Sequence, residues 1–257
     1  MTYTFTNMKT REVHSRSILT RTNIKAIDYC LNPYVGCQHA CRYCYATFMK
    51  KFSGHDDAWG SFVDVKVNAA DLLRRELRRG RSGHVVMSSV TDPYQPVEAI
   101  HKITRACMEL LALSDLKISV LSKSALISRD IDLFTKAGDI EVGLSITTDR
   151  EPMRKLFEPG ASPISARLKA LRALHDAGVS TYVFIGPILP MDPQRLAELI
   201  SPHAGRVLID RMNYPWKVRK VYEAHGLTHA LGEDYFEEVE ARLAGRLRRM
   251  GTEVELI

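Results

Sequence analysis

"NPYVGCQHACRYCYA", residues 32–46, places Cys37, Cys41 and Cys44 within eight residues, with Tyr43 and Tyr45 flanking the last. It follows "KAIDYCL" (25–31), an apolar run that reads as a buried strand. Further strand-like runs are "HVVMSSV" (84–90), "KISVLS" (117–122), "IEVGLSI" (140–146), "TYVFIGPIL" (181–189) and "RVLID" (206–210). All are short and rich in Val and Ile, as strands buried on both faces are. Helical patterns lie between them: "AADLLRRELRR", ending at Gly80, "PVEAIHKITRACMELLAL", "SPISARLKALRALHDAG" with a serine cap, an early proline and a closing glycine, and "MDPQRLAELIS". Strand and helix alternate six times. Two topologies fit, a doubly wound sheet and an α/β barrel, complete or incomplete. Both place chemistry beyond the C-terminal strand ends, where the cysteine loop, "TDPYQP", "KS" and "TTDREP" all fall. After Trp216 the chain reads as a helix, "EDYFEEVEARLAGRLRRMG", and a short strand, "TEVELI".

A chain of 257 residues can bury a full core, as one large α/β domain or two small ones. No apolar run reaches membrane-spanning length, and "MTYTFTNMKTREVHSRS" has no apolar signal core. The expected compartment is the cytoplasm, where thiols stay reduced. Five cysteines, an odd number with three clustered, speak against a disulfide framework and for a metal site or catalysis. The net charge of +6 is compatible with a polyanionic partner. In "LLRRELRRGR", Leu73 and Leu77 share a helix face and the arginines cover the other, which reads as a solvated face before a nucleic-acid contact.

Three thiols in one loop restrict the metal. Structural zinc wants four protein ligands, so His39 or Cys30 would have to complete the set. An electron-transfer iron–sulfur cluster also wants four thiolates, and Cys107, the distant candidate, sits on the apolar side of a helix. Three thiolates would leave one iron of a cubane open, and an open position is what a catalytic metal needs. A zinc or iron–sulfur protein without catalysis stays open on the residues alone.

CxxxCxxC with an aromatic before its last cysteine resembles the cluster loop of radical S-adenosylmethionine (SAM) enzymes. "TDPYQPVE", "SKSALISRDIDL" and "GLSITTD" extend the resemblance to the spore photoproduct lyase-related family, over residues 18 to 210. It implies an incomplete (β/α)6 TIM-type barrel with an N-terminal extension and a C-terminal helical extension (211–257), in a single domain. It implies a [4Fe–4S] cluster on Cys37, Cys41 and Cys44, with SAM as the fourth ligand. Reductive cleavage of SAM would yield a 5′-deoxyadenosyl radical that takes hydrogen from a substrate. A flavodoxin- or ferredoxin-type electron donor is the implied partner. A nucleic acid is the implied substrate, with a peptide or small metabolite as the alternative.

The resemblance also suggests roles for single residues. Lys123 would bind the SAM carboxylate, and Ser145 the carboxylate or ribose, with Thr147 further along. Thr91 and Asp92 would lie near the SAM ammonium, although Asp-Pro is also a turn signal. Tyr43, Ile185 and Gly186 would lie near the adenine. Tyr94 and Gln95 would face substrate. Arg129 and Asp130 read as a structural pair, and Tyr214 and Trp216 as packing for the C-terminal helix. Spore photoproduct lyase carries a cysteine before its "TSD" stretch that gives a hydrogen atom to the product radical; here Ser89 stands in its place. A serine O–H bond is too strong for that donation, so an efficient spore photoproduct lyase is not expected.

Overall fold

The Val- and Ile-rich runs do become strands, most of them shorter than the apolar runs, while 117–122 keeps its full length. The computed structural model describes residues 8–257; the first seven residues, part of the stretch read as lacking a signal core, lie outside the described residues. The strands are β1 (Lys9–Val13), β2 (Leu19–Arg21), β3 (Tyr29–Leu31), β4 (Tyr34–Val35), β5 (Phe62–Lys66), β6 (His84–Met87), β7 (Lys117–Ser122), β8 (Ile140–Ser145), β9 (Ser180–Ile185), β10 (Arg206–Ile209) and β11 (Glu253–Leu256). The helices are α1 (Lys50–Ser53), α2 (Ala69–Leu77), α3 (Glu98–His101), α4 (Ile103–Leu111), α5 (Ile131–Phe134), α6 (Glu151–Phe157), α7 (Ile164–Asp176), α8 (Pro193–Ile200), α9 (Pro215–Ala224) and α10 (Glu233–Arg249).

The main sheet has the order β11-β10-β9-β8-β7-β6-β3-β2. All neighbours are parallel except the β2–β3 pair. The six predicted strands are β3, β6, β7, β8, β9 and β10. β2 and β11 flank them and do not pair with each other, so the sheet is an open, incomplete barrel rather than a closed one. The apolar core includes Val85, Met87, Val120, Leu144, Val183 and Val207, all buried.

Three departures from the sequence reading have identifiable causes. The run 84–90 stops at Met87 because Ser88 turns to φ +68° and the Asn32 side chain accepts from the Ser89 and Val90 N–H groups at 2.9 and 3.1 Å. The long helix over 96–113 is two helices. The Glu98 carboxylate caps the second by accepting from the Thr104 and Arg105 N–H groups at 2.9 and 3.2 Å, and Lys102 between them sits at φ +52°. α7 is not capped by Ser162, whose hydroxyl accepts from the Ala125 N–H at 3.0 Å; the Glu151 carboxylate takes the Ile164 N–H at 3.1 Å instead. A small second sheet, β1-β5-β4, and helix α9 were not anticipated. The exposed, polar β1 gives no alternating signal.

Candidate active site

The C-terminal ends of the six central strands surround a cavity of about 450 Å³. Its walls include Cys37, Cys41 and Cys44 after β3, Ser88 to Asp92 after β6, and Lys123 after β7. Ser145 ends β8, Gly186 follows β9, and Asp210 to Tyr214 follow β10.

The cysteine loop is clamped from both sides. Gly36, at φ +89°, enters it so close to β5 that a Cβ would lie 2.3 Å from the Phe62 carbonyl oxygen. Gln95 braces the next turn: its side-chain carbonyl accepts from the Gln38 N–H at 2.8 Å, and its amide donates to Thr91 Oγ1 at 2.9 Å. On the far side a Cβ on Gly160 would lie 2.1 Å from the Gln38 carbonyl oxygen. The Tyr43 hydroxyl donates to the buried Glu158 carboxylate, which also accepts from Thr147 Oγ1 at 2.9 Å and pairs with the buried Arg167 at 2.5 Å.

The thiol set suits a polynuclear cluster. A single tetrahedral ion with sulfur ligands at about 2.3 Å would hold them roughly 3.8 Å apart. Among the described residues, the trio of metal-type ligand atoms that falls within 4.8 Å is His175, Asp176 and His203, not the three cysteines. Burial pushes all three thiols up, so a positive metal centre is what would stabilise them as thiolates. The Ala46 N–H and the buried Trp59 indole N–H act on Cys44 in the opposite sense. Cys30 and Cys107 are buried free thiols away from the cavity wall.

The thiols share the cavity with groups suited to a zwitterion. The Lys123 ammonium stands 5.8 Å from the Tyr43 ring centroid and forms no ion pair among the described residues. Asp92 accepts from Ser122 Oγ at 2.7 Å, the Lys123 N–H at 2.8 Å and the Tyr94 N–H at 2.9 Å, with His39 Nδ1 at 3.2 Å. Burial alone would raise this carboxyl; His39 and the donors outweigh it and hold the group at about 2. Asp92 is thus both the turn former and a negative wall. Ser88 was missed by the sequence reading: its hydroxyl is buried at the cavity without a partner among the described residues. A positive φ outside glycine, which the sequence does not advertise, puts it there.

Four expectations need correction. Tyr94 does not face the cavity; it is fully buried, and its hydroxyl donates to Asp130 Oδ2 at 3.0 Å. Gln95 is equally buried and serves the loop. Thr147 and Ile185 also lie off the wall: the Thr147 hydroxyl is committed to Glu158, and the Ile185 carbonyl accepts from the Asp210 N–H at 2.9 Å. Tyr214 and Trp216 are not core packing; both are exposed, and Tyr214 lines the cavity mouth. Arg129 and Asp130 do pair, at 2.7 Å, within a network with Glu98. Ser89 is held beside Tyr45, whose hydroxyl donates to the Ser89 carbonyl.

The model of the Radical SAM superfamily matches residues 31–201. An uncharacterized protein of Methanocaldococcus jannaschii is 38% identical over 179 residues, 70% of this chain and 67% of that protein. An uncharacterized protein of Mycobacterium tuberculosis is 32% identical over 196 residues, 72% of this chain but 58% of its own length. Among solved structures, a spore photoproduct lyase mutant with bound AdoMet and dinucleoside spore photoproduct superposes with a TM-score of 0.67 at 15% identity, over 95% of this chain and 80% of that one. That likeness concerns the fold. With the family model covering most of the chain and a cysteine loop at the mouth of an open parallel barrel, this chain is an enzyme of the radical SAM superfamily, whose cofactors are an iron–sulfur cluster and SAM.

Proposed function

We propose that Cys37, Cys41 and Cys44 hold a [4Fe–4S] cluster, that SAM occupies the adjoining cavity, and that the substrate is a nucleic-acid base or nucleotide. Residues 1–257 would form one such domain, working in the cytoplasm with a flavodoxin- or ferredoxin-type donor. The observation that carries this reading is the shared cavity. Three thiols, Cys37 buried and Cys41 and Cys44 half-buried, line it together with Ser145 and with Lys123, an ammonium without an ion pair among the described residues. When bound, cluster and SAM supply a 5′-deoxyadenosyl radical that takes hydrogen from an unactivated C–H bond. The chain's own part is to bind and orient. Lys123 and Ser145 would receive the SAM carboxylate, and Asp92 its ammonium side. Gly186, where a Cβ would lie 2.2 Å from Phe184 Cζ, lets the Phe184 ring pack into the cavity wall, where a flat ring could lie against it. The Tyr43–Glu158–Arg167 chain keeps the cysteine loop seated. Among the described residues no helix is long and apolar enough to cross a membrane. Anaerobic incubation with SAM, dithionite and deuterated oligonucleotides tests the substrate class: deuterium should appear in 5′-deoxyadenosine. Deuterium transfer from peptides or metabolites instead would refute it.

Lys123→Ala should weaken SAM binding by about tenfold or more, because the SAM carboxylate then lacks its partner in a partly desolvated site. Iron content should stay at the wild-type level. Calorimetry on reconstituted protein checks this, and unchanged affinity removes Lys123 from the site.

Ser89 separates this chain from an efficient spore photoproduct lyase. Its O–H bond is too strong to quench a carbon radical as a thiol does. On spore photoproduct dinucleotide the wild type should therefore give slow turnover with by-products, and Ser89→Cys cleaner conversion. Fast, clean conversion by the wild type would contradict this.

A further inference from the structure

Beyond the cavity, five exposed aromatic side chains lie on the segments that carry Tyr45 and Tyr214 to its mouth. Tyr45, Phe48 and Phe52 are 46%, 45% and 76% exposed, and Tyr214 and Trp216 are 37% and 66% exposed. They come from two segments, residues 45–53 and the start of α9, that are tied together by Lys217 Nζ donating to Thr47 Oγ1 at 2.6 Å. Tyr214 is the hinge of the group. Its ring lies 6.4 Å from Tyr45 at 20° and 5.3 Å from Trp216 at 78°, with the Lys217 ammonium 6.0 Å from its centroid. Exposing this much ring surface costs solvation, and Tyr45, Tyr214 and Trp216 form one contiguous run with the Phe48–Phe52 pair on the same segment as Tyr45, which marks an interaction site.

Charge says what the site takes. Residues 41–55 and 211–222 contain Arg42, Lys50, Lys51, Arg211, Lys217, Arg219 and Lys220, with acidic groups only at their borders, Asp56, Asp57, Asp210 and Glu223. Arg211 pairs with Glu233 and Glu240. The other six form no ion pair among the described residues, whereas most arginines elsewhere in the chain's buried networks do. Rings interleaved with uncompensated cations are the arrangement that binds single-stranded nucleic acid: bases stack on the rings and phosphates meet the cations. The rim opens into the cavity through Tyr45 and Tyr214, which line both.

We infer that this aromatic rim is a binding site for an unstacked, single-stranded nucleic acid, in which Tyr214 and Trp216 stack the bases next to the one delivered to the cavity. Arg219 and Lys220 contact the backbone. A base inside a duplex cannot reach a recessed site, so the rim selects strands whose bases are already splayed out. This rests on the nucleic-acid reading above and specifies how that substrate is held.

The test uses the full chain with its cluster reconstituted anaerobically and a fluorescein-labelled oligothymidylate of about twelve nucleotides, which spans a typical single-strand site. Fluorescence anisotropy should show binding that weakens steeply with salt. Trp216→Ala should weaken it by about tenfold, and Trp216→Phe should restore most of it. Arg219→Gln with Lys220→Gln should lower the salt dependence by about two ion equivalents. A duplex of the same length should bind more weakly. Unchanged affinity in Trp216→Ala, with an unchanged melting temperature, would overturn the rim while leaving the nucleic-acid reading intact. No oligonucleotide binding by the wild type even at low salt would overturn both. Tighter binding of an acidic peptide than of the oligonucleotide would assign the rim to a polypeptide and overturn it. Dimerisation by light scattering that Trp216→Ala abolishes, with oligonucleotide affinity unmoved, would assign it to self-association and overturn it too.

Discussion

Replacing Cys37, Cys41 or Cys44 with alanine should abolish iron–sulfur loading and 5′-deoxyadenosine production together. Each thiol sits in the clamped loop on the cavity wall, and none has a substitute nearby. Cys30 is in β3 and Cys107 in α4, both buried and off the wall. Two thiolates cannot hold three irons of a cubane, so the loss should be all-or-none rather than graded. Cys30→Ala and Cys107→Ala should keep iron, sulfide and the absorbance of the cluster near wild-type levels. Metal and sulfide analysis after anaerobic reconstitution reads this directly. If Cys41→Ala retains a full cluster while Cys107→Ala loses it, the ligand set is wrong. Because the loop is held by Gly36, Gln95 and Gly160 rather than by its sulfurs, the apo variants should still fold.

Arg167→Ala should cost about 3–5 kcal/mol of folding stability, a large share of the roughly 5–15 kcal/mol of a typical domain. Arg167 and Glu158 are both fully buried, and removing the guanidinium strands a carboxylate in the interior. Arg167 also donates to the Ser145 carbonyl at 2.9 Å and the Ser162 carbonyl at 2.9 Å, so two acceptors lose their partner as well. The pH dependence distinguishes this from simple loss of packing. Burial by itself would raise the Glu158 carboxyl, but Arg167, Lys123 and Tyr43 outweigh it and hold it at about 2, against an ordinary value of 4.5. A depressed folded-state value contributes stability above the unfolded value, lost as pH falls from about 4.5 towards 2. Without Arg167 burial dominates and the carboxyl rises, so the variant should be worst near neutral pH and should close on the wild type as pH falls. Urea unfolding at several pH values tests this. A deficit independent of pH would mean that packing, not the stranded charge, sets the cost.

Local information settles the parts of this protein that are local. Three thiols at 37, 41 and 44 restrict the metal because a loop of eight residues has nowhere else to put them. The alternation of short apolar runs with helical patterns fixes a parallel α/β sheet and places the polar turns at one end of it. Which of those polar residues look into the cavity is a different matter, since it depends on partners far away in the chain. Tyr94 follows the same turn as Thr91 and Asp92, yet Asp130, 36 residues on, draws its hydroxyl into the interior. Tyr43 is oriented by Glu158, 115 residues on, and Ser88 reaches the cavity only because Asn32 holds the next two N–H groups. Tyr214 and Trp216 carry the composition of core residues; only the docking of α9 against residues 45–49, through Lys217 and Thr47 across 170 residues, leaves them in solvent at the mouth. Residue type and spacing determine which chemistry the chain can hold, while the direction each side chain faces is set by contacts that no short window of sequence contains.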